Sequence, residues 1–107
     1  MRVTVTARQR VELPPLLQEM LQAKVEKLDR FGHRILGVHA IFGREKYYYT
    51  AELTLSAKGM LIVGKSKGER DLLTCMEQAL MKLKEQLRRH ESKMVEKRRR
   101  ALRKLPL

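Results

Sequence analysis

The chain has 107 residues, 43% of them hydrophobic, with 24 Lys or Arg against 12 Asp or Glu and a formal charge of +12. That length is one domain, and an apolar share of this size with regular patterning excludes a disordered polymer. A sequence pI near 10.4 points to an anionic partner, nucleic acid first and an acidic membrane surface second.

Arg2 to Arg8 alternate, with Val3, Val5 and Ala7 on one side and Arg2, Thr4, Thr6 and Arg8 on the other. This is the period of a half-buried strand. The N-terminus holds no long apolar segment, so a signal peptide is not expected and a cytoplasmic protein is. Glu12-Leu13-Pro14-Pro15 punctuates, since proline suits a helix's first turn. Leu17, Leu21, Val25 and Leu28 then recur at helical spacing, predicting a helix over 15–30 with Lys24, Lys27 and Arg30 on its other face. Gly32 is the expected stop.

Three strands are predicted next. In 36–42, Leu36, Val38, Ala40 and Phe42 form the apolar set. In 47–57, the set is Tyr47, Tyr49, Ala51, Leu53, Leu55 and Ala57. Of the three consecutive tyrosines, the alternation points two inward and leaves Tyr48 as a surface candidate for stacking on bases. Lys58-Gly59 reads as a tight hairpin turn, 60–65 as a shorter strand, and Lys67-Gly68-Glu69-Arg70 as a loop. Asp71 or a neighbour caps the last helix.

That helix is predicted over 70–104. Leu73, Met76, Leu80, Leu83 and Leu87 make its apolar stripe. Lys82, Gln86, Arg89, Lys93, Lys97 and Arg100 make a second one at the same steps of three and four. Between Lys82 and Lys104 eleven Lys or Arg face three Glu, so this stretch carries +8 of the +12. The charges repel one another unless an anion is near, so the terminal run Lys97-Arg98-Arg99-Arg100 is expected to fray without a partner.

The order β-α-β-β-β-α predicts a two-layer α+β sandwich. Its four-stranded sheet carries both helices on one face, and the first strand is free to pair in parallel with the second. On this topology the two basic helix faces share one surface pointing away from the sheet. No catalytic constellation is present. His33, His39 and His90 fall in separate elements without cysteine partners, no phosphate-binding glycine loop occurs, and the protein is read as a non-enzyme without metal, cofactor or small-molecule substrate. The lone Cys75 reads as a small buried residue in a reducing compartment.

Several segments in sequence order resemble one family. They are Thr4-Val5-Thr6; Ala23-Lys24-Val25-Glu26-Lys27-Leu28 followed by Phe31 and Arg34-Ile35; Ala51-Glu52-Leu53-Thr54-Leu55; Asp71-Leu72-Leu73; and Lys82-Leu83-Lys84-Glu85-Gln86-Leu87. Together, over residues 1–94, they are similar to the short-type ribosome hibernation factors. These are related to the ribosome-associated translation inhibitor and fall in the sigma-54 modulation protein family. The resemblance implies a fold like that of double-stranded RNA-binding domains. It also implies binding to the small ribosomal subunit, contact with 16S rRNA in the channel for mRNA and tRNA, and idle 70S ribosomes. Lys24, Lys27, Arg34, Lys82, Arg89 and Lys93 match the family's basic positions. Departures are Asp71-Leu72-Leu73, where the family has Asp-Met-Tyr, and Met81 in place of an acid. The long-form dimerisation domain is missing, so the protein is not expected to form ribosome dimers by itself; off the ribosome it is read as a monomer. Residues 1–95 are read as the family domain and 96–107 as a basic extension. The alternative function is a general double-stranded RNA binder, and a membrane-surface module is disfavoured because the helix end has no Trp or Phe to insert.

Overall fold

The computed structural model describes residues 2–8, 11–29, 35–57 and 59–105. It contains β1 (Arg2–Ala7), α1 (Pro15–Asp29), β2 (Ile35–Glu45), β3 (Tyr48–Ala57), β4 (Met60–Glu69) and α2 (Leu72–Arg103). The strands form one sheet in the order β1-β2-β3-β4. β1 pairs parallel to β2, and β2, β3 and β4 form an antiparallel meander. This is the predicted α+β order, with the parallel pairing that a helical crossover permits.

Both helices cover one face. Leu17, Leu21, Val25 and Leu28 of α1 join Cys75, Met76, Ala79, Leu80, Leu83 and Leu87 of α2 over the inward residues of β2, β3 and β4. Val38, Ala40, Phe42, Ala51, Leu53 and Leu55 supply most of that sheet surface. α2 lies over β4 and β3, with α1 beside it.

Four local features differ from the sequence-based expectation. First, Ile35 rather than Leu36 enters the core, and Leu36 is 64% exposed. The pairing register slips between Ile35 and Gly37, and such a bulge shifts the side-chain alternation by one residue. Second, Tyr47 does not begin β3. It sits in the two-residue turn after Glu45, which pairs with Tyr48, and is 84% exposed.

Third, β4 runs to Glu69 instead of ending at Lys65. Lys67 pairs with Thr50 and Glu69 with Tyr49, so Gly68 is the extra residue of a bulge. Its φ of 103° is open to glycine and strained for any side chain. Fourth, α2 is helical through Arg103, so the basic run 97–100 is ordered as helix and not frayed. It continues without interruption from a segment anchored by the core, and so avoids the nucleation cost an isolated helix would meet.

Gly64 decides where α2 sits. A β-carbon there would lie 2.4 Å from the Ala79 carbonyl oxygen and 2.8 Å from the Leu83 nitrogen. The helix backbone therefore rests directly on the strand, which only glycine allows. At the start of α2, the Asp71 carboxylate accepts hydrogen bonds from the Thr74 N–H (3.2 Å) and hydroxyl (2.9 Å), a side-chain cap of the kind expected. Leu72 and Leu73, which stand at the departure from the family pattern, are half-buried against the core.

Candidate nucleic-acid interface

The buried stripe of α2 fixes the azimuth of everything else on it. Residues step by about 100° around a helix. With Met76, Ala79, Leu83 and Leu87 facing the sheet, the Lys82–Gln86–Arg89–Lys93 row emerges on the flank beside β4. Val63, Lys65, Lys82, Glu85, Gln86 and Arg89 line one open groove there, of about 490 Å³. A second groove of about 460 Å³ continues it past the β3–β4 turn, between Gly59–Ile62 and Gln86, Arg89, His90 and Lys93. Lys82, Gln86, Arg89 and Lys93 are all exposed. β4 is the edge strand of the sheet, so its outer backbone edge borders the same grooves. Lys65 was absent from the sequence-based set. It alternates with Gly64 onto the outer face of the sheet and borders this groove because β4 is the edge strand, a neighbourhood that periodicity within one element cannot reveal.

α1 faces the other flank. Lys24 shares a shallow groove with Glu77, Leu80, Met81 and Lys84, and Lys27 is exposed further round the helix. The single merged surface expected from topology is therefore not formed. There are two basic strips, one between the helices and one along β4, divided by the crest of α2. The reason is the close seat on Gly64, which turns the Lys82 row toward the sheet edge and away from α1. Arg30 and Arg34 lie outside the described residues. Lys97 and Arg100 prolong the β4-side row beyond the sheet, and the Nε of Arg100 is 3.4 Å from Glu96.

The outer face of the sheet is polar and uncovered by helix. Arg8, Glu45, Thr50, Glu52, Lys65 and Lys67 are among the residues lining its shallow concavity. The Lys67 ammonium stands 5.7 Å from the centre of the Tyr48 ring, and the Arg44 guanidinium 5.6 Å from that of Tyr49. Tyr48 is thus half-buried under a cation, not an open platform for bases. His39 is hydrogen-bonded to the Thr6 hydroxyl (2.9 Å), on the far side of the sheet from His90, and His33 is outside the described residues. Cys75 is fully buried, with its Sγ 3.6 Å from the Ser66 carbonyl oxygen that accepts from it. Burial pushes its thiol pKa up. No helix among the described residues is long and apolar enough to cross a membrane.

A mixed four-stranded sheet backed on one face by two helices, with cations ranked along one helix flank, defines a small α+β module suited to a polyanion. Comparison places it more closely. The family model described as sigma 54 modulation protein / S30EA ribosomal protein matches residues 3–95, and the chain belongs to this family. The family is non-enzymatic.

Among its relatives, the ribosome hibernation promoting factor of Escherichia coli K12 is 31% identical over 84 residues, covering 78% of this chain and 87% of that protein. The factor of the same name from Azotobacter vinelandii is 28% identical over 97 residues, covering 91% and 89%. In fold, the chain is similar to a ribosomal subunit interface protein from Coxiella burnetii, with a TM-score of 0.75 at 21% identity over 86% of this chain and 99% of that one. It is also similar to the N-terminal domain of Thermus thermophilus Protein Y, with a TM-score of 0.72 at 18% identity over 84% and 99%.

Proposed function

We propose that this protein is a cytoplasmic ribosome hibernation factor. It binds the small ribosomal subunit, occupies the channel for mRNA and tRNA through contacts with 16S rRNA, and keeps 70S ribosomes idle by occlusion. The observation that carries this reading is the Lys82–Gln86–Arg89–Lys93 row laid along the β4 edge with Lys65. Family membership and the names of the relatives support it. Cations two turns and one turn apart along one helix flank, beside open grooves, can engage phosphates of a folded RNA, and counterion release supplies the affinity. Lys24 and Lys27 on the other flank offer a second strip, so the protein fits between RNA segments better than on a plane.

A general double-stranded RNA binder would want cations where the last helix begins. Here Asp71 caps that end, and Glu69 stands two residues before it. The test is co-sedimentation with purified 30S and 70S particles at moderate salt. The wild type should travel with both, and the triple substitution Lys82→Glu, Arg89→Glu, Lys93→Glu should stay in the supernatant. Binding to free duplex RNA but never to ribosomes would refute the proposal.

A further inference from the structure

α2 is 32 residues long, about 48 Å at 1.5 Å per residue, and the molecule measures 63 × 25 × 17 Å. Among the described side chains, the last buried one of the helix is Leu87, and the last that borders the β3–β4 turn is Lys93. The segment 95–103 therefore projects from the body as a free-standing rod, and it begins where the family match ends.

The cations on this rod are not confined to one side. Lys97, Arg98, Arg99 and Arg100 are consecutive. At about 100° per residue they point to four quarters of the circumference. Arg103 falls between the directions of Arg99 and Arg100. All five are exposed. The same segment contains a single acid, Glu96, which sits against Arg100. The apolar side chains are too few to define a face for a partner helix: Val95 and Leu102 stand two turns apart on one side, 47% and 65% exposed, with Arg98 and Arg99 flanking that side.

A helix meant to lie on a plane keeps its cations on one side and its apolar residues on the other. A rod charged all round has no such preference, and on a flat anionic surface about half its cations would face solvent. We infer that the projecting end of α2 is received into a cleft walled by RNA on opposing sides, so that phosphates meet it from all around. This deepens the ribosomal reading and rests on it. The occupant's partner is folded RNA with phosphate-lined walls, and the rod is its inserted element. Where the Lys82 row reads one wall beside β4, the segment 95–103 is enclosed.

The test is a set of single substitutions in the full chain: Lys97→Gln, Arg98→Gln, Arg99→Gln and Arg100→Gln. All are on the exposed helix surface, and circular dichroism of each variant is the control for helicity. Binding to purified 30S subunits is measured from 0.05 to 0.3 M salt. Enclosure predicts that each variant loses about four- to sixfold in affinity at 0.15 M salt, with a salt slope shallower by roughly 0.7 to 0.9, the effect of one phosphate contact.

Loss confined to one azimuth, with the others at wild-type affinity, overturns enclosure and leaves ribosome binding standing. Failure of the wild type itself to bind 30S subunits overturns the functional reading and this inference with it. Flotation of the wild type with phosphatidylserine vesicles, abolished by these variants while their 30S binding is unchanged, would assign the rod to a membrane surface and overturn it as well.

Discussion

Gly64→Ala should loosen the whole helix layer. The new methyl would sit 2.4 Å from the Ala79 carbonyl oxygen, 2.8 Å from the Leu83 nitrogen and 3.1 Å from the Leu83 β-carbon. Ordinary contact begins near 3.4 Å, so α2 would have to withdraw by about 1 Å. The nearest atoms are backbone and cannot rotate away. A withdrawal of that size costs a quarter to a half of the dispersion well for each atom pair it opens, and it opens them under Met76, Leu80 and Leu83, all of them buried. Overpacking of this kind costs about 3 kcal/mol at the upper end of its usual range. Removing a glycine from the unfolded chain offsets up to about 1 kcal/mol. The net loss is about 2 kcal/mol, and for 107 residues that lowers the melting temperature by roughly 9 °C.

Thermal and urea unfolding followed by circular dichroism measure it. Gly43→Ala is the comparison, because its methyl would meet the Thr50 hydroxyl at 2.7 Å, the end of a side chain that can turn. Its loss should stay below about 1 kcal/mol. A Gly64→Ala protein as stable as the wild type would refute the close seating of α2, and with it the reason the Lys82 row lies beside β4.

Other consequences are simpler to state. Hydrogen bonds from the Thr74 hydroxyl first, then its N–H, hold the Asp71 carboxyl below its ordinary pKa. The ionised cap therefore stabilises the fold above the unfolded value of about 3.9, and that contribution is lost as pH falls through the lower folded value. Asp71→Asn keeps a capping oxygen, so it should melt near the wild type at pH 7 and lose less stability between pH 5 and 3; melts across that range decide it. Cys75 should react with an aromatic disulfide reagent only as fast as the protein opens, and reaction at the rate of a free thiol in native buffer would contradict its burial. Replacing Lys82, Arg89 and Lys93 together by Gln should leave the melting temperature unchanged and flatten the salt slope of 30S binding by about 2 to 3, measured by titration at several salt concentrations.

Much of the fold was legible because most segments have one unambiguous period. Leu17, Leu21, Val25 and Leu28 admit only a helix, and the alternation from Tyr49 to Ala57 admits only a strand with its apolar side on the core. The places that resisted are those where two residues could fill one role. Ile35 and Leu36 are adjacent and both apolar, and only the bulge chooses between them. The segment Lys65-Ser66-Lys67-Gly68-Glu69 is polar enough to read as a loop, yet β3 offers it partners, and Ser66 is buried because small size matters more there than polarity. Gly64 looked incidental, since nothing local shows that a helix backbone will rest on it. The candidate site divides in the same way. The Lys82 row was readable from spacing within one helix, whereas Lys65 and the split into two strips depend on contacts between elements.

The central claim is a place on the ribosome, and a cryo-EM map of the protein bound to 70S particles tests it most directly. The account predicts density in the mRNA and tRNA channel of the small subunit, with the Lys82–Lys93 row against 16S rRNA backbone and the end of α2 enclosed. Density on the solvent side of either subunit, or ribosomes with an empty channel at saturating protein, would contradict it.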